Sequence, residues 1–261
     1  MADSAPTETH RLFQHDRVAA GYASVRPYLH PEVFSVVRDL VRPPARFRRA
    51  LDVGCGTGLS SLALLDLAEE VVGIDAAHEM LRHARRADGI RYVAAGAEAL
   101  PFREGCLDLV VACGSMDWVD RPRFMSRAAR LLVSGGWLVS LDFGDTGRSP
   151  EVPGLERWYD EVFQGAYPRP PAGDPVITAD EAERHGFAAP VHRDFASACS
   201  FTARQYAAFL MTESNVIAAV EYGRQTEAEV RAWLESGLRP LFGDEARPVD
   251  FGGYVQALRR L

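Results

Sequence analysis

The chain of 261 residues contains no lysine: all 29 of its basic residues are arginine, set against 36 acidic ones for a formal net charge of −7. The missing lysine reads as a base-composition effect of the encoding genome. The acidic balance argues against a general electrostatic grip on nucleic acid, where neutralised phosphates supply much of the affinity. No apolar run approaches the ~20 residues that span a bilayer. The first ten residues, Met1 to His10, are polar and carry no apolar signal region. A cytoplasmic protein with no nucleic-acid or membrane partner is the expectation. Cysteine is sparse too. Cys55, Cys106, Cys113 and Cys199 are scattered, with no CxxC pair and no metal-ligand spacing, so neither a disulfide framework nor a metal is expected.

What is present is ordinary for a soluble globular protein: 47% hydrophobic and 25% charged residues. The length suits one large domain, or a core with an appended lid. A helical pattern begins near Leu12 and Phe13 and runs through Val18, Ala19 and Tyr22 to Arg26-Pro27. A second spans Pro31 to Leu40, with proline at its start where a missing N–H costs nothing, and Pro43-Pro44 closes this leader. Arg42, Arg46, Arg48 and Arg49 then form a basic cluster, which reads more simply as a solvated linker than as an anion patch.

From Arg49 onward, short apolar runs alternate with helical patterns. Strands are expected at 50–53, 71–75, 90–93, 107–112 and 137–143, with helices at 59–67, 78–87 and 121–132 between them. Strands separated by helices pair in parallel through right-handed crossovers, so the fold class is α/β with a doubly wound, mostly parallel sheet. Past Gly144 come prolines 150, 153, 168, 170, 171 and 175 around one helix at 155–163. A helix at 179–185, a strand at 191–197, helices at 202–220 and 227–238, and a last strand at 249–258 follow.

Gly54, Gly56 and Gly58 stand where the first strand meets the first helix, the place where open α/β sheets bind nucleotides. Glycine lets the backbone turn tightly and lets a ligand approach without a Cβ in the way. The spacing does not fit the dinucleotide pattern G-x-G-x-x-G, whose third glycine would fall on Leu59 or Ser61. Asp52 lies two residues before the loop. A carboxylate there repels pyrophosphate, which binds to bare amides at a helix N-terminus. It suits a ligand with an ammonium group and a sulfonium, as in S-adenosylmethionine. Asp75, about 20 residues beyond and ending the second strand, is placed to accept both ribose hydroxyls.

Four motifs then follow in order: Leu51-Asp-Val-Gly-Cys-Gly-Thr-Gly58; Val72-Gly-Ile-Asp75; Gly96-Ala-Glu98 leading to Leu100-Pro-Phe102; and Leu107-Asp-Leu-Val110 with Arg130-Leu-Leu-Val-Ser-Gly-Gly-Trp-Leu138. Residues 50–143 thereby resemble the core of the class I S-adenosylmethionine-dependent methyltransferases. The resemblance implies a seven-stranded Rossmann-like sheet and a single domain over 1–261. Within it, 10–43 would be an N-terminal helical lid, 49–144 the cofactor-binding core, and 145–261 a substrate cover with the last two strands and a helical insertion.

The resemblance also implies roles. Gly54, Gly56 and Gly58 would pack against the methionine portion of the cofactor, with Asp52 near its amino group and the Cys113 carbonyl on its amine. Asp75 would take the ribose, Ala76 and Met80 would flank the adenine, and Ala97 and Glu98 would border the adenine edge. The leader resembles the lid of ubiquinone-biosynthesis and trans-aconitate methyltransferases, where the equivalents of Tyr22 and Arg26 close over the cofactor.

The acceptor side is less legible. Cys113-Gly-Ser-Met-Asp117-Trp118 follows the fourth strand and is expected to line the acceptor site; it is not the N/D-P-P-Y sequence of nucleobase amino methylation. Trp118 reads as a floor for an apolar substrate or as a packed tryptophan. Asp117 reads as an acceptor-orienting group or as the cap of the helix near Arg121. His30, His78, His83, His185 and His192 do not converge, and no catalytic base is assigned. Methyl transfer is an in-line displacement on an activated carbon, so positioning in a desolvated site supplies most of the catalysis. The expectation is a methyltransferase, monomeric or homodimeric, acting on an oxygen, nitrogen or carbon of a small molecule. A cofactor-binding protein with a non-methylating role stays open beside it; a nucleotide-dependent oxidoreductase is disfavoured by Asp52 and the glycine spacing.

Overall fold

In β1 (Phe47–Val53), successive buried residues face opposite ways, as the two-residue period of a strand requires. Leu51 and Val53 join one apolar cluster and Ala50 joins another. The same division recurs in β4 (Leu107–Cys113), with Val110 and Ala112 on one side and Leu109 and Val111 on the other. Strands buried on both faces carry helices on both faces, the doubly wound arrangement. The computed structural model describes residues 12–43, 45–169 and 175–261. The polar stretch Met1 to His10, Pro44, Pro170 and Pro171 lie outside the described residues.

Among the described residues, seven strands form one sheet in the order β3-β2-β1-β4-β5-β7-β6. The others are β2 (Ala68–Asp75), β3 (Ile90–Ala94), β5 (Leu132–Asp145), β6 (Val191–Phe201) and β7 (Arg247–Arg259). β1 pairs in parallel with β2 and β4, β2 with β3, and β4 with β5. β7 runs against β5: the Gly135 N–H donates to the Arg260 carbonyl, and the Arg260 N–H to the Gly136 carbonyl. The sheet is therefore mixed, with the expected parallel core.

The leader holds α1 (Asp16–Val25) and α2 (His30–Val41). Then come α3 (Leu59–Leu64), α4 (His78–Arg82) and α5 (Arg121–Leu131). Beyond β5, α6 (Leu155–Arg157) continues through a π turn, Trp158–Phe163, into α7 (Gln164–Ala166). α8 (Ala179–Arg184), α9 (Ala203–Leu210), α10 (Ser214–Glu221) and α11 (Glu227–Phe242) complete the chain. Among the described residues, no helix is long and apolar enough to cross a membrane.

Two helices depart from the sequence pattern. The helix expected at 78–87 stops at Arg82, because the Arg85 N–H leaves the helical ladder for the Thr57 carbonyl of the glycine loop, at 3.0 Å. The helix expected at 202–220 divides into α9 and α10. Both the Thr212 N–H (2.9 Å) and its hydroxyl (2.6 Å) donate to the Phe209 carbonyl, closing a turn instead of extending the helix.

The described residues of Tyr28–Phe143, Gly173–Phe195 and Gly253–Leu261 form one compact unit, here the sheet unit. Those of Met1–Pro27, Gly144–Ala172 and Ala196–Gly252 form a second, the helical unit. The leader is thus shared: α1 groups with the helical unit, while Val33, Phe34, Val37 and Val41 of α2 bury beside Ala63 and Leu64 of α3 in the sheet unit. On the opposite sheet face, α5 inserts Phe124, Met125 and Ala128, all fully buried, against Leu51, Val110 and Leu138. Phe124 is the largest of the three side chains and among the largest that are fully buried. Phe124→Ala is expected to lower stability by about 3–5 kcal/mol, measured by urea denaturation; a loss under 1 kcal/mol would mean the ring is not a core element.

Candidate functional site

β1 ends on a carboxylate that water does not reach. Asp52 is fully buried, and its Oδ2 accepts the hydroxyls of Ser60 (2.7 Å) and Ser61 (2.5 Å) from the first turn of α3. Its Oδ1 is buried with no hydrogen-bond partner among the described residues. Burial pushes its pKa up to about 6, opposed by the two serine hydroxyls, with the nearby Asp75 charge adding to the rise.

Between Asp52 and α3 the loop turns through Gly54, Gly56 and Gly58, all at positive φ (68°, 51° and 78°). Two of them are also held by close neighbours. A Cβ on Gly54 would come within 2.5 Å of the Ser115 Cβ, and one on Gly58 would meet the Tyr92 hydroxyl and lie 2.9 Å from its Cζ. At Gly56 the single near atom is the flexible Met80 Cε, 3.2 Å away. The Asp75 carboxylate fixes the loop's middle: Oδ2 accepts the Gly56 N–H (2.8 Å) and Oδ1 the Ala77 N–H (2.7 Å). A carboxylate has about four acceptor positions, so holding the loop is compatible with binding a diol as well.

The structure therefore gathers Asp52, Gly54, Gly56, Gly58, Asp75 and Met80 around one turn. Ala76 is exposed beside them and Met80 buried. On the next loop, Ala97 is buried, and the Glu98 Oε1 accepts the Asp120 N–H at 2.9 Å. After β4, the Ser115 hydroxyl donates to the Val53 carbonyl (2.7 Å), tying the Cys113–Gly114–Ser115 turn to the end of β1. Desolvation raises both the Cys55 and Cys113 thiols well above their ordinary range, so neither is a thiolate nucleophile. Asp117 is exposed and Trp118 half-buried. The cap of α5 is not Asp117 but Asp120, whose carboxylate accepts the Arg123 N–H at 3.1 Å.

In the helical unit, the Arg26 guanidinium lies 4.6 Å from the Tyr22 ring centroid and 4.8 Å from that of Phe209. It also pairs with Glu213 (3.0 Å) and donates to the Thr212 carbonyl (2.9 Å). Glu213 meets Arg169, which donates to the Tyr159 hydroxyl at 2.7 Å. The last residue of β5, Asp145, is buried in the same unit. Its Oδ1 accepts the Tyr206 hydroxyl (3.0 Å) and the Gly147 N–H (2.6 Å), and its Oδ2 has no hydrogen-bond partner among the described residues. Burial, then the Glu213 charge, raises its pKa to about 7.

The histidines stay apart. His30 stacks on Tyr28 and meets the edge of Phe143, His185 Nδ1 lies 2.9 Å from the Ser126 hydroxyl, and His192 pairs with Asp194 at 3.1 Å. His78 is exposed.

Sequence reasoning missed Ser60, Ser61, Tyr92, Ser115 and Asp145. The serine pair had a usable signal, hydroxyls in the first helical turn eight and nine residues after an acid. Tyr92 and Ser115 had none, since each reaches the glycine loop from a different strand.

Residues 51–140 match the family model described as a methyltransferase domain. Over that segment the chain is similar to methyltransferase domains. The chain is 34% identical to a malonyl-[acyl-carrier protein] O-methyltransferase of Methylococcus capsulatus across 132 residues, covering 48% of this chain and 47% of that one. It is 41% identical to a demethylmenaquinone methyltransferase of Thermus thermophilus across 104 residues, covering 37% and 47%. The chain spans about half the length of the curated relatives it matches. In fold it is similar to a provisionally assigned type II methyltransferase of Anaeromyxobacter dehalogenans, with a TM-score of 0.63, 24% identity, and coverage of 87% of this chain and 94% of that one.

Two expected outcomes follow from the glycine loop and the buried acids. Gly58→Ala is expected to cost at least about 1–3 kcal/mol from its positive φ, with the Tyr92 contact adding to it; an unchanged melting temperature would contradict the loop geometry. The folded pKa values of Asp52 and Asp145 are raised above the ordinary 3.8. The stability that each protonated carboxyl contributes is present below about pH 4 and lost as pH rises through about 6 and 7 respectively. Asp52→Asn and Asp145→Asn are each expected to flatten their part of that decline, read as denaturation midpoint against pH.

Proposed function

We propose that this chain binds S-adenosylmethionine on the loop between β1 and α3 and transfers its methyl group to an oxygen, nitrogen or carbon of a small-molecule acceptor. One observation carries the reading: a buried carboxylate oxygen without a hydrogen-bond partner among the described residues, Asp52 Oδ1, stands two residues before three glycines at positive φ. A cationic group near the loop would satisfy that acceptor, whereas a pyrophosphate would be repelled by it. The cradle at Gly56, which among the described residues only the movable Met80 Cε approaches, supports the same fit.

On this reading the methionine portion is held by Asp52, Gly54, Gly56, Gly58 and the Cys113 carbonyl, the ribose by Asp75, and the adenine by Ala76, Met80, Ala97 and Glu98. Tyr22 and Arg26 belong to a lid, and Asp117 and Trp118 border the acceptor. When bound, the cofactor supplies a methyl carbon already activated by its sulfonium. The chain's own task is then to orient the acceptor in line and exclude water. A base is needed only if the acceptor must lose a proton during attack. The two relatives bear names with chemically different acceptors, malonyl-[acyl-carrier protein] and demethylmenaquinone, so the shared segment supports the donor half of the reaction. A cytoplasmic protein acting as monomer or homodimer completes the proposal.

Calorimetry with S-adenosylhomocysteine tests the reading directly. Saturable binding is expected, and Asp75→Ala should weaken it by about 1–3 kcal/mol through the loss of two hydrogen bonds. Circular dichroism melting of the variant separates that loss from unfolding. Absence of binding by the folded wild-type protein would overturn the proposal, and methyl label from the cofactor appearing in a carboxylic acid, phenol or amine would define the acceptor.

A further inference from the structure

The exposed face of α5 is cationic in a chain that is acidic overall. Arg123, Arg127 and Arg130 follow at i, i+4 and i+7, which places all three guanidinium groups on one side of the helix. They line a cavity of about 350 Å³ together with Ser126, His185 and Glu98. All six belong to the sheet unit.

The three arginines are not equivalent. One Arg127 nitrogen donates to both the Leu100 (2.6 Å) and Phe102 (3.0 Å) carbonyls, which fixes that guanidinium in place. Arg123 and Arg130 have no side-chain hydrogen bond or ion pair among the described residues. Ser126 Oγ and His185 Nδ1 hold each other at the wall, 2.9 Å apart. The single carboxylate of the lining, Glu98, has one oxygen committed to the Asp120 N–H at 2.9 Å. Three like charges in adjacent turns oppose one another. The guanidinium fork matches the oxygens of phosphate in paired hydrogen bonds, and a group fixed beforehand gives up less freedom on binding.

We propose that this cavity is a binding site for a phosphate-type oxyanion, with Arg123 and Arg130 closing on it beside the fixed Arg127. The space exceeds one oxyanion, so the ligand is either free phosphate or the phosphomonoester end of a larger molecule. None of the three arginines belongs to the proposed cofactor set, whereas Glu98, proposed at the adenine edge, borders both sites.

Calorimetry of the full chain at constant ionic strength tests it, with inorganic phosphate and phenyl phosphate as probes and chloride and acetate as controls. Both phosphate probes should bind with the controls at least tenfold weaker; tighter binding of phenyl phosphate marks a carried phosphate, and equal binding a free one. The R123A/R130A double variant should lose at least tenfold in phosphate affinity, while E98Q gains severalfold by removal of the opposing charge. An Arg157→Ala change, on the exposed surface of the helical unit, should leave the affinity unaltered. Melting temperatures confirm that each variant is folded. Wild-type binding no tighter for phosphate than for chloride, or an unchanged affinity in the folded double variant, would overturn the proposal.

Discussion

The Asp52 carboxylate is the constraint around which the sheet unit is arranged. It lies in the central part of the sheet, at the carboxyl end of β1, where no water reaches it. A buried carboxylate is tolerated only when hydrogen-bonded or neutralised. Ser60 and Ser61 supply the hydroxyls for one oxygen, so α3 must begin where it does and present its first turn to β1. That requirement compels the reversal between them to be short, and positive φ at three glycines makes it so.

The rest of the site is fastened to that reversal from outside. Asp75 grips the Gly56 N–H, Ser115 grips the Val53 carbonyl, and Tyr92 lies against Gly58 and Gly73 while its hydroxyl donates to the Arg85 carbonyl. Each comes from a strand that is β1's neighbour or one strand further out. The parallel register, in which Asp52 stands opposite Gly73 and Val111, brings their carboxyl ends level with the loop. The loop is held from four strands as well as shaped by its own glycines. The same logic recurs in the helical unit, where Asp145 is held by Tyr206 from α9 and by the Gly147 N–H in the turn after β5.

Much of the fold was readable from local pattern. Alternating β and α signals predict the parallel core from β1 to β5, and the strand positions agree to within a few residues. The exceptions have physical causes. α4 is short because Arg85 finds a partner in the loop, and α9 and α10 separate because the Thr212 side chain and backbone N–H both take the Phe209 carbonyl. Neither competitor lies within the hydrophobic period from which a helix is read. The cap of α5 is a milder case: Asp117 and Asp120 are both acids before the helix, and only the backbone path selects Asp120.

The sequence by itself determined the β1–α3 loop and its two flanking acids, because a tight turn at a strand end depends on residues a few positions apart. It also carried the resemblance to methyltransferase domains, since each of the four motifs is contiguous and they keep their order. Tertiary structure decided the rest. That Asp52 is half-satisfied and titrates near 6 depends on its burial, which no local spacing encodes. That Arg26 meets Thr212, 186 residues away, depends on how α1 and α9 pack in the helical unit. Contacts over such distances follow from shape and burial, and those exist only once the chain has folded.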